Sequence, residues 1–366
     1  MDSRPSSNWS QFRLLCRALG PVGDAVLLQE LTTSGLRQLV ETARYHDVLP
    51  ALALRVAELI GDDLSLENSV EEEMTRALRQ NTMRNMKISA QALKLAKVLN
   101  KAGIDPVFLK GTAQLLVTNR NNLGFRKQVD IDFLVAPGQL ELAAERLIDD
   151  GYSFYDFTGN EKVPVQLRDV QTAVEKSRSH HHLPELMKEG CPAIVELHRH
   201  FLPARWQPKK LLEPFLADAL THEINGARFR IPSPEFQIIH LVLGKFVHDG
   251  YMARQSFPVR EACDYLHIQE AADRRLNFGL ITQHCGNAEM LFAQLVTELM
   301  GQYSTEPLSA SGGLSVAQRM RLMERRMNSA AVSNTLDIYA RIQHLTHSLI
   351  HSPMKLRGYL ARLDII

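Results

Sequence analysis

Asp130-Ile131-Asp132 runs directly into Phe133-Leu134-Val135, and few architectures can hold two carboxylates at the mouth of so apolar a strand. Side chains alternate faces along a strand, so Asp130 and Asp132 project from the same face a short distance apart. Carboxylates that close repel each other, and burying them unpaired is costly. A hard divalent cation with oxygen ligands resolves the conflict. The other resolution is a solvated turn, so the rest of the chain has to decide.

Changes of hydrophobic period divide the 366 residues into three regions. Residues 1–102 read as helical. Leu36, Leu39, Val40 and Ala43 follow helical spacing, and a long helix is expected from about Leu66 to Ala102, capped by Gly103. Residues 103–202 mix short apolar runs with helical segments. Strands are expected at 106–109, 131–135, 152–157 and 193–198, with helices opening at Gly111 and at Leu140. From 203 to 366 helices return, at 235–247, 259–268, 288–300 and 316–329, and the Ser- and Gly-rich stretch 304–314 reads as a loop. The order predicts an α+β protein: a small mixed β-sheet core flanked by N- and C-terminal helical regions.

Composition narrows the classes. A formal net charge of +1 provides no global field for nucleic acid or an anionic membrane. The four cysteines, Cys16, Cys191, Cys263 and Cys285, form no CxxC pair, which disfavours a structural zinc site and fits free thiols in a reducing cytosol. The N-terminus shows no basic-then-apolar leader, and no apolar run is long enough to span a bilayer. The expected setting is therefore cytoplasmic, away from a membrane.

Five further features bear on chemistry. Lys110-Gly111-Thr112 follows the strand Val107-Phe108-Leu109. A glycine there permits close approach of a ligand, and amides at a helix N-terminus bind phosphate oxygens. The same segment also reads as an ordinary strand-to-helix turn, and it is not a GxxxxGK[ST] loop. Glu196 sits inside Ile194-Val195-Glu196-Leu197-His198, sharing a face with His198, where it can complete a carboxylate site or face water at an edge. Arg126 lies four residues before Asp130 and can pair with phosphate or carboxylate. The histidines His180, His181, His182, His198 and His200 raise zinc as a possibility, although a run of histidines also suits a polar loop. Arg319, Arg321, Arg325 and Arg326 suit a solvated helix face or a polyanionic partner.

Taken in order, Val107 to Thr112, then Arg126, then Asp130 to Val135, then Val195-Glu196-Leu197-His198, the chain resembles the uncharacterised nucleotidyltransferase family of the nucleotidyltransferase superfamily. Ala43 to Pro50, Asn81 to Arg84 and Pro232 to Glu235 agree with it, so the resemblance covers about 35–270. It departs at the turn, where the superfamily usually has Gly-Gly or Gly-Ser and this chain has Gly111-Thr112.

The resemblance implies transfer of NMP from an NTP to an acceptor hydroxyl, with ATP among the candidate donors. Asp130, Asp132 and Glu196 would be catalytic and would hold one or two Mg2+ ions, or Mn2+. Lys110, Gly111, Thr112 and Arg126 would bind the phosphates, and His182 and His198 would position substrate. The acceptor would be a small molecule, a protein or a tRNA-like RNA end. Two alternatives stand beside this reading: a nucleotide-binding regulatory protein on the same scaffold without turnover, and a metal-dependent hydrolase using the histidines.

Overall fold

The long helix expected between residues 66 and 102 forms over Asn68–Asn100 and ends where Gly103 adopts φ 73°, a left-handed conformation that costs glycine little. The structure is a computed structural model describing residues 9–21, 33–60, 68–117, 122–155, 170–178, 180–202, 208–272, 276–301, 314–329 and 332–340. Among the described residues, three amphipathic helices, α1 (Trp9–Leu19), α2 (Thr33–Tyr45) and α3 (Leu49–Ile60), precede this long helix, α4 (Asn68–Asn100). Met74 joins the apolar cluster of α1–α3, whereas Ile88, Ala92, Leu95 and Leu99 belong to the core beneath the sheet. One helix thus ties the N-terminal region to the core.

The core begins with β1 (Val107–Phe108), α5 (Lys110–Val117) and β2 (Asp130–Leu134), followed by α6 (Leu140–Asp149) and β3 (Ser153–Tyr155). It continues with α7 (Val170–Lys176), β4 (Glu185–Met187), β5 (Ile194–His198) and α8 (Pro208–Ala217). A hairpin, β6 (Leu220–Ile224) and β7 (Ala227–Ile231), completes a seven-stranded mixed sheet in the order β3-β4-β5-β2-β1-β7-β6. β2 lies parallel to β5, and β1 is antiparallel to β2 and parallel to β7. The remainder is α9 (Pro234–His240), which passes directly into a π-helix over Leu241–His248, then α10 (Val259–Ala271), α11 (Phe278–Cys285), α12 (Asn287–Met300) and α13 (Val316–Asn328). The chain is therefore α+β, with helical regions flanking the sheet.

The hairpin corrects the expectation that helices alone return after residue 203. Its turn is Asn225-Gly226 at φ 52° and 73°, the positive pair that a two-residue hairpin turn demands. Asn100 anchors it to the end of α4: its Nδ2 donates to Arg228 O, and its Oδ1 accepts from Arg228 N, both at 2.8 Å. Residues 304–313 of the expected loop lie outside the described residues. In α13, Met323 is buried, Arg319 donates to Gln255 and Arg326 pairs with Asp337, so part of the basic stretch is engaged within the chain.

The two faces of the sheet differ. Phe108, Ile131, Phe133, Val195, Leu197 and Phe229 face α4 and α6, and each is fully buried. Burial of each such large side chain stabilises the fold by about 1.5–3 kcal/mol. Val107, Leu109 and Leu134 face the other way, into the cluster shared with the N- and C-terminal helices. Period-2 alternation sends Asp130 and Asp132 to this second face with Leu134. No helix among the described residues is long and apolar enough to cross a membrane.

Candidate active site

The register of β2 and β5 brings the acidic residues together. Asp132 pairs with Glu196 directly across the parallel strands, and Asp130 pairs with Ile194. Residues paired across a parallel ladder point to the same face, so Asp130, Asp132, Glu196 and His198 share it. His198 Nε2 lies 2.9 Å from Asp132 Oδ1 and 3.3 Å from Glu196 Oε2. Lys110 Nζ lies 2.6 Å from the same Asp132 oxygen and 3.7 Å from the same Glu196 oxygen. Among the described residues, Asp132, Glu196 and His198 offer ligand atoms within 4.8 Å of one another. Asp130 stands beside this group, its Oδ1 accepting from Gln128 Nε2 at 3.1 Å.

The two aspartates have opposite electrostatic fates. Burial, and then the charge of Asp132, push the Asp130 carboxyl above its usual range. Burial would do the same to Asp132, but the Lys110 ammonium and the His198 imidazole hold it well below that range. Burial lowers Lys110, yet Asp132 and Glu196 together raise it above an ordinary lysine. For His198, burial and Lys110 oppose protonation, and hydrogen bonds to Asp132 and Glu196 outweigh them. Lys110 and His198 thus favour the anionic form of Asp132 at the centre of the cluster.

These residues fit a divalent cation. Two carboxylate oxygens and an imidazole nitrogen converge, and an ammonium already rests against the carboxylates. Oxygen donors suit Mg2+ or Mn2+, and the imidazole tilts the set towards the later ion.

The expected phosphate-binding residues surround the same place, with their side chains partly engaged. Lys110 opens α5 at φ 49°, a left-handed backbone. A Cβ on Gly111 would meet Arg126 Nη1 at 2.0 Å and Gln128 Oε1 at 2.1 Å, so any side chain there must displace these two. Thr112 is fully buried, and its hydroxyl accepts from Asp132 N at 3.1 Å, bracing β2. Arg126 Nε donates to both Asp264 carboxylate oxygens at 2.9 and 3.0 Å. Asn81 and Asn85 on α4 donate to the carbonyls of Leu123, Gly124 and Arg126, which fixes the approach to β2.

The histidines divide. His198 is fully buried beneath the carboxylates. His182 lies beside it, with ring centroids 5.5 Å apart, and its Nδ1 donates to Leu183 O at 2.6 Å. His180, His181 and His182 contribute no atom to the convergent group. His240, from α9, is pushed down to about 3 by burial and the Lys110 charge, so it faces the site as a neutral imidazole.

Two cavities abut here. The smaller, about 260 Å³, is lined by Lys110, Asp130, Asp132 and Arg126, with Lys245 and Arg260 from the C-terminal region. Lys245 pairs with Asp249 and Arg260 with Glu261. The larger, about 690 Å³, lies on the α3 and α4 side. Gln114, Arg126 and Asp264 line both. Sequence reading missed Gln128, Lys245, Arg260 and Asp264, and placed His240 only within a downstream stretch that agrees with the family, with no role at the site. Gln128 had a signal, two residues before Asp130 on the same alternating face. The others arrive by tertiary packing and carry no local pattern.

No curated protein matches the chain. The family described as uncharacterised nucleotidyltransferase matches residues 33–300, which takes in the sheet and the carboxylate cluster. The chain belongs to that uncharacterised nucleotidyltransferase family.

Proposed function

We propose that the chain transfers a nucleoside monophosphate from an NTP to an acceptor hydroxyl and releases pyrophosphate. The observation that carries this reading is the register setting Asp132 against Glu196, with Asp130 on the same face and Lys110 over them. In it, residues 103–202 supply the chemistry and the helical regions shape the binding surfaces.

Asp130, Asp132 and Glu196 would hold one or two divalent ions, Mg2+ or Mn2+. A bound ion supplies charge neutralisation on the phosphates and on the departing pyrophosphate. His198 keeps Asp132 and Glu196 oriented from below. The amides opening α5 at Gly111 and Thr112 seat phosphate oxygens, as the free first amides of a helix do. Lys110 and Arg126 meet charge that grows on the phosphates during transfer. Glu196 accepts the proton of the acceptor hydroxyl. The acceptor oxygen bonds to the α-phosphorus as the bond from that phosphorus to the β-phosphate's bridging oxygen breaks. The acceptor is a small molecule, a protein or a tRNA-like RNA end, in the cytoplasm, where NTP is plentiful and the four free thiols stay reduced.

The test is incubation with each labelled NTP, Mg2+ or Mn2+, and a cell lysate, with a chelator control. Label entering one fraction, with matching pyrophosphate, is expected and identifies the acceptor class. No incorporation and no pyrophosphate from any NTP sinks the reading. A second reading, nucleotide binding without turnover, draws on the 2.6 Å contact by which Lys110 satisfies Asp132 without a metal. Calorimetric binding of Mg-NTP with no pyrophosphate released would favour it.

A further inference from the structure

The carboxylate-lined cavity is too small for the substrate proposed for it. Pockets that enclose a drug-sized molecule span about 300–1,000 Å³, and an NTP is at least that large. At about 260 Å³, the smaller cavity accommodates a triphosphate and its counter-ions but leaves the nucleoside outside. The neighbouring cavity, at about 690 Å³, lies within the expected range.

The Lys110-Gly111 turn straddles the boundary between them. Lys110 lines the smaller space, and Gly111 lines the larger. A ligand whose phosphates lie against this turn therefore has its continuation beside the larger cavity. That cavity has the mixed lining a nucleoside needs. Leu54, Leu115, Phe125 and Leu266 offer apolar surface to a base. Asn122 and Gln128 add polar groups to the same wall.

We infer that the larger cavity is the nucleoside site: the base and ribose of the NTP bind between α3, α5 and α10, and the triphosphate passes the Arg126–Asp264 pair to the carboxylates. This rests on the transferase reading, and it places the nucleotide rather than the acceptor in the larger space.

The experiment is calorimetric titration of the full chain with adenosine, guanosine, cytidine and uridine, and with the four Mg-NTPs. The wild type is compared with Leu54→Trp, which fills the cavity, and with Asp132→Asn. Leu266→Trp fills it from α10 if Leu54→Trp fails to fold. At least one nucleoside is expected to bind the wild type. The filling variant should weaken that nucleoside and its Mg-NTP by the same factor, about tenfold or more. Asp132→Asn should remove the metal-dependent gain of the NTP while leaving nucleoside affinity within about twofold. Asp132-dependent Mg-NTP binding that a folded filling variant leaves unchanged overturns the nucleoside site and spares the transferase. Nucleoside binding that the filling variant weakens, with no metal-dependent gain for any NTP, overturns the transferase reading alone.

Discussion

The Lys110 ammonium rests 2.6 Å from Asp132 Oδ1 and 3.7 Å from Glu196 Oε2, on a backbone held at φ 49°. A left-handed backbone costs a residue with a Cβ roughly 1–2 kcal/mol, so the contact must return at least that much. The return is electrostatic: without this cation, His198 alone would stand between two carboxylates that face each other across paired strands. Lys110 thus competes for the position a metal ion needs. We predict that Lys110→Met lowers metal-free stability by about 1 kcal/mol, because the lysine is 39% exposed and solvent screens the pair, while tightening Mn2+ binding in the absence of NTP. Melting curves with and without Mn2+, and a titration followed by electron paramagnetic resonance, check both. Weaker Mn2+ binding in the variant would show that Lys110 supports the ion instead of replacing it.

Asp130→Asn and Asp132→Asn should differ in stability and agree in activity. Both carboxylates share the face to which the proposed transfer is assigned, so on that reading each loss should reduce transfer by about a hundredfold or more, beyond what loss of a supporting group costs. Asp132 is buried and contacts both Lys110 and His198, and its amide variant leaves those two cations only the more distant Glu196 carboxylate. Asp130 is half-buried, and its carboxyl already sits above the usual range because of burial and its neighbour's charge. Asp130→Asn should therefore keep the wild-type melting temperature or raise it, whereas Asp132→Asn should lower it by several degrees. Equal melting temperatures would mean that the cluster is not centred on Asp132.

The contrast between these two aspartates marks how far sequence reading reaches. The strand, its alternation and the shared face of Asp130 and Asp132 follow from local pattern, and so do Glu196 and the long helix with its Gly103 cap. The hairpin at residues 220–231 was legible too, through Asn225-Gly226 between two short runs, although helical spacing dominates the sequence on either side. What local pattern does not carry is the β2–β5 register. That register is set by packing of Ile131, Phe133, Val195 and Leu197 against α4 and α6, and it decides that Asp132, not Asp130, faces Glu196. Arg126 shows the same limit. Its proximity to the carboxylates was expected, yet its partner Asp264 lies 138 residues away on α10.

Gly111 should tolerate no side chain. The Cβ of Gly111→Ala would fall about 2 Å from Arg126 Nη1 and Gln128 Oε1. Both are ends of flexible side chains, but Arg126 is pinned to Asp264 and Gln128 to the Asp130 carbonyl, at 2.6 Å. Overpacking of this kind costs typically about 1–3 kcal/mol. Displacing Arg126 and Gln128 should weaken Mg-NTP binding while leaving Mn2+ binding at Asp132 and Glu196 near that of the wild type. Parallel titrations with the two ligands measure the difference. Equal loss of both would point to general unfolding, which a melting curve identifies.

His46 should make the N-terminal region sensitive to acid. Its ring packs against Phe12 and Tyr45, with centroids 5.1 and 5.0 Å away, and its Nε2 is buried with no partner. Burial pushes its pKa down to about 4, against a smaller upward pull from the Asp47 carboxylate. In the unfolded chain the imidazole titrates near its ordinary value of about 6.5. Between those two values the unfolded state binds more protons than the folded one, so stability rises with pH across the window. Acidification from pH 7 towards pH 4 should therefore cost on the order of 2 kcal/mol through this residue, after allowance for its partial exposure to solvent. His46→Phe keeps the aromatic packing and removes the proton site. Urea unfolding of both proteins at several values between pH 4 and pH 7 should give curves that converge near neutrality and separate below pH 6, with the variant the more stable. A constant separation across that range would mean that His46 is not the group that titrates.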